Sequence, residues 1–238
     1  MPMRKTHAIL YLFLAGCLLA GSCSKMSSSM PDGDRYGPSA DAEGMEQEEY
    51  DAIVTVKQAE NQSVYFQVDN VSRLYPLNYE QPYTGPKRLA CSLIEYKNRT
   101  VDNNRNYHLG LVKWFEEVVP GRVEAAGEDG ATYQPDDGID VLDDWMTSLE
   151  DAFLTIHYST FWGDGSVAYR LVLVKTGPAD FRLLLYRNGD EKLEEGDALV
   201  CFDLNEYLPQ SDGMDITLKW STGAGEPSEK VFRFRSRP

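Results

Sequence analysis

From Tyr50 onward the chain alternates apolar and polar residues with a period of two, which sends neighbouring side chains to opposite faces and commits the backbone to strands. In "MDITLKW" (Met214–Trp220), for example, Met214, Ile216, Leu218 and Trp220 share one face while Asp215, Thr217 and Lys219 share the other. "DAIVTVKQ" (51–58), "SVYFQVD" (63–69), "VSRLYPLN" (71–78), "KRLACSLIEYK" (87–97) and "YHLGLVKWFEEVV" (107–119) read as strands, and none has helical spacing. Their number and length predict a small closed barrel of the OB type over residues 50–120, with a small open sandwich as the competing arrangement. Residues 121–137, rich in Gly, Asp and Glu, read as a linker. Residues 138–238 then carry "AFLTIHYSTFW", "SVAYRLVLVKT", "DFRLLLYRN", "ALVCFDLNEYL", "MDITLKWS" and "EKVFRFRS", with "VLDDWMTSL" as a possible seventh element. Turn signals such as "TGP" and "NGD" separate them, and the pattern predicts an antiparallel β-sandwich. The expected fold class is all-β.

A composition of 42% hydrophobic and 11% aromatic residues is enough to fill two such cores. The net charge of −15 becomes −17 when the first 22 residues, which hold Arg4 and Lys5 but no acid, are set aside. Such a surface repels phosphate backbones, so nucleic acid is excluded as a partner.

The N-terminus carries its own instruction. Arg4 and Lys5 precede the apolar run "AILYLFLAGCLLAGS" (Ala8–Ser22), which is short for a bilayer span and ends in small residues. "LAGC" and "AGSC" both resemble a bacterial lipobox, whose cysteine is acylated and becomes the first mature residue. Cys23 is the expected site and Cys17 the alternative, because cleavage before Cys17 would leave "LLAGS" at the mature start. Residues 1–22 are then a lipoprotein signal peptide and 23–49, polar and aperiodic, a tether. The membrane is thus one partner. "SKMSSSM" after Cys23 has no acid before Asp32, from which an outer-membrane, periplasm-facing position is expected.

Motifs of catalysis are missing from the sequence: no G-x-S-x-G, Walker loop, H-E-x-x-H or C-x-x-C. "SLEDAFLTIHYSTFWGDG" (148–165) gathers Glu150, Asp151, His157 and Asp164, yet a strand at about 3.3 Å per residue holds the acids about 20 Å from the histidine. Glu116 and Glu117 point to opposite faces and cannot flank one bond. The acidic stretches "DDGIDVLDD" (136–144) and "NGDEKLEEGD" (188–197) lack the EF-hand order of ligands and read as solvated loops. No catalytic residue, metal site or cofactor is expected, and the chain reads as a non-enzyme that contacts an envelope protein. Cys91 and Cys201 sit in apolar strands of different domains and read as free thiols. In "LYPLNYEQPYTGP" (74–86), Tyr75, Tyr79 and Tyr83 read first as caps on the barrel's open end. They are also the candidate contact surface for a peptide or glycan. Val112 and Trp114 are read on one face of the last barrel strand and Leu109 and Leu111 on the other. One face needs cover, so a fixed contact with the sandwich is expected, with Trp145 as its plug.

The lipobox, "DAIVTVK", "RLYPLN", "VKW", "DDWMTSLEDAFLTIHYSTFWG" and the terminal "LKWSTGAGEPSEKVFRF" together resemble the NigD-like lipoproteins. The resemblance implies an N-terminal OB domain, a C-terminal β-sandwich and a place in the envelope of Gram-negative anaerobes. It implies a bacteriocin-immunity role by association and brings no catalytic residues; Cys91 and Cys201 are not part of the family pattern.

Overall fold

The computed structural model describes residues 46–69, 71–97, 107–125, 138–163, 168–188 and 194–237. Five strands come first: β1 (Glu46–Gln58), β2 (Val64–Gln67), β3 (Arg73–Pro76), β4 (Lys87–Lys97) and β5 (Tyr107–Glu117). They close into a barrel in the order β1-β2-β3-β5-β4, with β3 and β5 parallel and the whole of β4 paired antiparallel along β1. This is the expected OB-type barrel. Val54, Val56, Phe66, Leu74, Leu89, Cys91 and Leu93 fill it, each taken from the inward parity of its strand. Glu46–Glu49, read from their acidity as tether, are instead the start of β1, where Glu49 ion-pairs with Lys113 of β5.

Two short strands follow, β6 (Val119–Pro120) and β7 (Arg122–Ala125), and then β8 (Asp140–Val141), β9 (Ser148–Glu150), β10 (Phe153–Trp162), β11 (Ala168–Lys175), β12 (Asp180–Asn188), β13 (Glu194–Asp203), β14 (Met214–Ser221) and β15 (Pro227–Phe234). One sheet runs β6-β13-β10-β8, with β9 also on β10; the other runs β15-β14-β12-β11-β7. Between them lies the main core, which includes Leu154, Ile156, Phe181, Leu183, Phe202, Ile216 and Leu218. Most strand pairs are antiparallel, but β6 on β13, β7 on β11 and β12 with β14 are parallel.

The linker reading needs correction at Arg122–Ala125, which is strand β7; residues 126–137 lie outside the described residues. The chain leaving the barrel adds β6 to the edge of one sheet, turns at Gly121 and adds β7 to the edge of the other. Gly121 donates to the Cys201 carbonyl at 2.7 Å, and a Cβ there would stand 2.2 Å from the Phe202 ring. Only glycine lets the crossing chain lie this close to the sandwich core.

The fixed contact between barrel and sandwich exists, but other residues make it. Ile53 and Ala90, on the outward parity of β1 and β4, meet Val118, Met146, Phe153, Leu199 and Cys201. Trp145 is 56% exposed and Trp114 42% exposed; Met146, one residue on, is the side chain inserted. A β-bulge explains the misread strand. Leu93 pairs with Val112 and Ser92 with Trp114, which leaves Lys113 unpaired and inverts the parity between Val112 and Trp114. Val112 therefore faces the barrel core and Trp114 the outside.

Beside this apolar seam lies Arg88 of β4, 1% exposed. Its guanidinium donates to Thr55 Oγ1 of β1 at 2.9 Å, to Thr155 Oγ1 of β10 at 3.3 Å and to Glu150 Oε2 of β9 at 3.1 Å. Removing a buried cation strands the groups that it satisfied. Arg88→Met should lower stability by about 3 kcal/mol, read as a lower urea midpoint at unchanged slope. Arg233→Met removes an ion pair whose side chains are 60% and 67% exposed, and should change stability by no more than about 0.5 kcal/mol.

Candidate functional site

His157 does sit in a constellation, though with none of the acids of its own segment. Alternation along β10 turns Thr155, His157 and Ser159 to the sheet face that meets the barrel. The chain between β8 and β9 folds back over that face. Leu142 N–H donates to the His157 carbonyl at 2.9 Å, and His157 N–H donates to Thr147 Oγ1 at 3.0 Å. Asp144 braces the same loop by accepting from Met146 N–H at 3.0 Å. The imidazole, 7% exposed, then lies between two carboxylates: Nδ1 is 2.7 Å from Asp144 Oδ2 and Nε2 is 2.8 Å from Asp197 Oδ2. Leu199 lies directly across from His157 on β13, so Asp197 is its diagonal neighbour. An ionised carboxylate only accepts, so the clamp is fully satisfied when both ring nitrogens carry hydrogen. Each ring nitrogen is thus already engaged by a carboxylate.

The acids of the quoted segment do other work, as the strand spacing implies. Glu150 holds Arg88, and Asp151 Oδ1 receives Lys57 Nζ at 2.7 Å; Asp164 lies outside the described residues. Asp151 and Ala152 form the two-residue turn between β9 and β10, with φ of 53° and 63°. A hairpin turn of this kind usually carries Asn-Gly, and "EDAF" gives no such signal in the sequence. Arg237, 7% exposed, closes over the turn: its guanidinium donates to the Asp151 carbonyl at 3.3 Å, ion-pairs with Asp203 and lies 4.2 Å from the Phe153 ring centroid.

The remaining candidates are held in the structure of their domains. His108 Nδ1 is 2.8 Å from Glu95 Oε1, and Tyr50 donates to Glu95 Oε2 at 3.0 Å. Cys91 faces the barrel core and Cys201 the seam; both are free, and burial pushes each thiol up to about 12. Tyr79 and Tyr83 pack against the barrel core, and Tyr79 meets the Phe66 ring at 5.0 Å and the Phe115 ring at 5.2 Å. Tyr75 lies 5.7 Å from Tyr65, and Leu77 in the same loop is 60% exposed.

Residues 123–234 match the NigD-like C-terminal β-sandwich domain. The C-terminal half of this chain belongs to that domain family. A toxin-related protein from Parabacteroides distasonis has a similar structure, with a TM-score of 0.60 at 19% identity, over 79% of this chain and 94% of its own. A protein of unknown function from Bacteroides vulgatus gives 0.57 at 16% identity, over 79% and 91%. A NigD-like immunity protein from Bacteroides caccae gives 0.53 at 18% identity, over 78% and 96%. No curated protein matches the chain. The clamp is therefore built on the NigD-like sandwich, on the sheet that faces the barrel.

His157→Leu keeps the volume but leaves Asp144 and Asp197 facing a side chain with no donor. The expected cost is about 2–4 kcal/mol. Faster amide exchange confined to the 142–147 loop and its β10 neighbours, with barrel amides unchanged, is the check.

Proposed function

We propose that this chain is a lipid-anchored envelope protein that acts by contact with a protein partner, in a bacteriocin-immunity type of role, and not by catalysis. The observation that carries the non-catalytic part is the His157 clamp, in which both ring nitrogens are committed to carboxylates. The two thiols support it as well, since groups held at about 12 supply no thiolate near neutrality. The envelope part rests on the signal-peptide profile with Cys23, or alternatively Cys17, as acylation site, and the immunity part on the NigD-like domain together with the Bacteroides caccae relative. The lack of acids between Cys23 and Asp32 supports an anchor in the outer membrane that faces the periplasm. Tyr75, Tyr79 and Tyr83 are the proposed contact surface: Tyr79 fixes the loop to the barrel and exposed Leu77 offers its tip. A glycan or peptide bound at this loop is the second reading, favoured by Tyr75 beside Tyr65.

Cys23→Ala should release the protein from isolated membranes, whereas Cys17→Ala should leave it anchored. Partners should co-purify with the anchored protein and be lost on Leu77→Asp with unchanged thermal stability. Anchoring lost only in Cys17→Ala would move the mature start, and retention of every partner by Leu77→Asp would remove the loop as the contact surface.

A further inference from the structure

Where the barrel and the sandwich meet, a crevice of about 220 Å³ opens beside Arg88. Its charged groups come from both domains, and most are spoken for, although Asp151 Oδ2 has no hydrogen-bond partner among the described residues. Lys57 is paired with Asp151 and Arg88 with Glu150. Asp69 turns back on its own loop, where it accepts from Val71 N–H at 2.8 Å, Ser72 N–H at 2.7 Å and the Ser72 hydroxyl at 2.8 Å. Two guanidiniums remain: Arg73 of β3 and Arg235, just past β15, neither with a carboxylate partner among the described residues.

This is unexpected on a chain with 38 acids and 23 Lys and Arg residues. Arg233, two residues before Arg235, has its acid at once, in Asp215 at 2.9 Å. Arg73 is also held in place: its guanidinium carbon lies over the Tyr65 ring, 5.0 Å from the centroid, a contact that needs none of its N–H donors. Two unpaired forks of donors, one from each domain, thus line one small crevice in an otherwise acidic molecule.

We propose that this crevice binds a compact oxyanion, a carboxylate or sulfate group, held between Arg73 and Arg235. The bidentate geometry of guanidinium suits both groups, and the volume admits an ion or one acid-sugar ring. The net charge of −15 opposes anion binding to the surface in general, so binding should concentrate where guanidiniums are left without acids. The site adjoins the tyrosine loop, since Tyr65 beneath Arg73 also lies 5.7 Å from Tyr75, but Tyr75, Tyr79 and Tyr83 do not line it.

Isothermal titration with sodium sulfate and with sodium glucuronate, against sodium chloride at matched ionic strength, tests the site. Saturable binding with a dissociation constant on the order of 1 mM is expected for at least one of them, and the tighter one names the source. Arg73→Gln and Arg235→Gln should each weaken it about tenfold or more, because each removes a charge-assisted hydrogen bond. Arg233→Gln, next door and already paired, should leave it unchanged. Chloride-like heats for both anions would overturn the proposal. So would binding that survives both substitutions, or an equal loss in Arg233→Gln. Arg235 is exposed, so its variant tests the site without endangering the fold.

Discussion

The guanidinium of Arg88 is buried where barrel and sandwich meet, and a charge without water must find its donors' partners inside the protein. Burial pulls it below its ordinary value and Glu150 opposes that pull. Its partners come from β1, β9 and β10, so one side chain requires two domains to keep a single relative position. Much around it follows from that requirement. Glu150 must end β9 close to the barrel, which calls for the two-residue turn at Asp151–Ala152 with both residues at positive φ. A turn that strained persists when its surroundings over-determine it. Lys57 does so from the barrel side and Arg237 from the C-terminal side.

The covalent connection works in the same direction. A flexible linker would let two modules move, whereas here the connecting chain pairs first with one sheet and then with the other. Gly121 makes that crossing possible against Phe202. Ile53, Ala90, Val118, Met146, Phe153, Leu199 and Cys201 then seal the seam with apolar contact. A surface made of both domains, such as the crevice under Arg73 and Arg235, keeps its shape only because of this.

The barrel and the sandwich were legible in the sequence because alternation is a local signal: Phe66 and Leu218 face their cores as their neighbours imply. Several features escaped it. The bulge at Lys113 inverted the parity between Val112 and Trp114, and nothing in "LVKWF" marks an extra residue. The turn at Asp151–Ala152 lacks the glycine that usually announces one. Arg122–Ala125 gains its strand by pairing with β11, far along the chain, and not by its own composition. The partners of His157 are 13 residues before it and 40 after, each the last acid of a stretch that composition alone marks as solvated loop. A clamp closed by tertiary contact leaves no spacing motif to find.

Rigid union of the two domains is the claim on which both the seam and the crevice rest. Differential scanning calorimetry of the mature chain without its acyl anchor addresses it most directly. A single endotherm whose calorimetric and van't Hoff enthalpies agree is predicted, as one cooperative unit requires. Two resolved transitions, with the barrel and the sandwich melting separately, would contradict it.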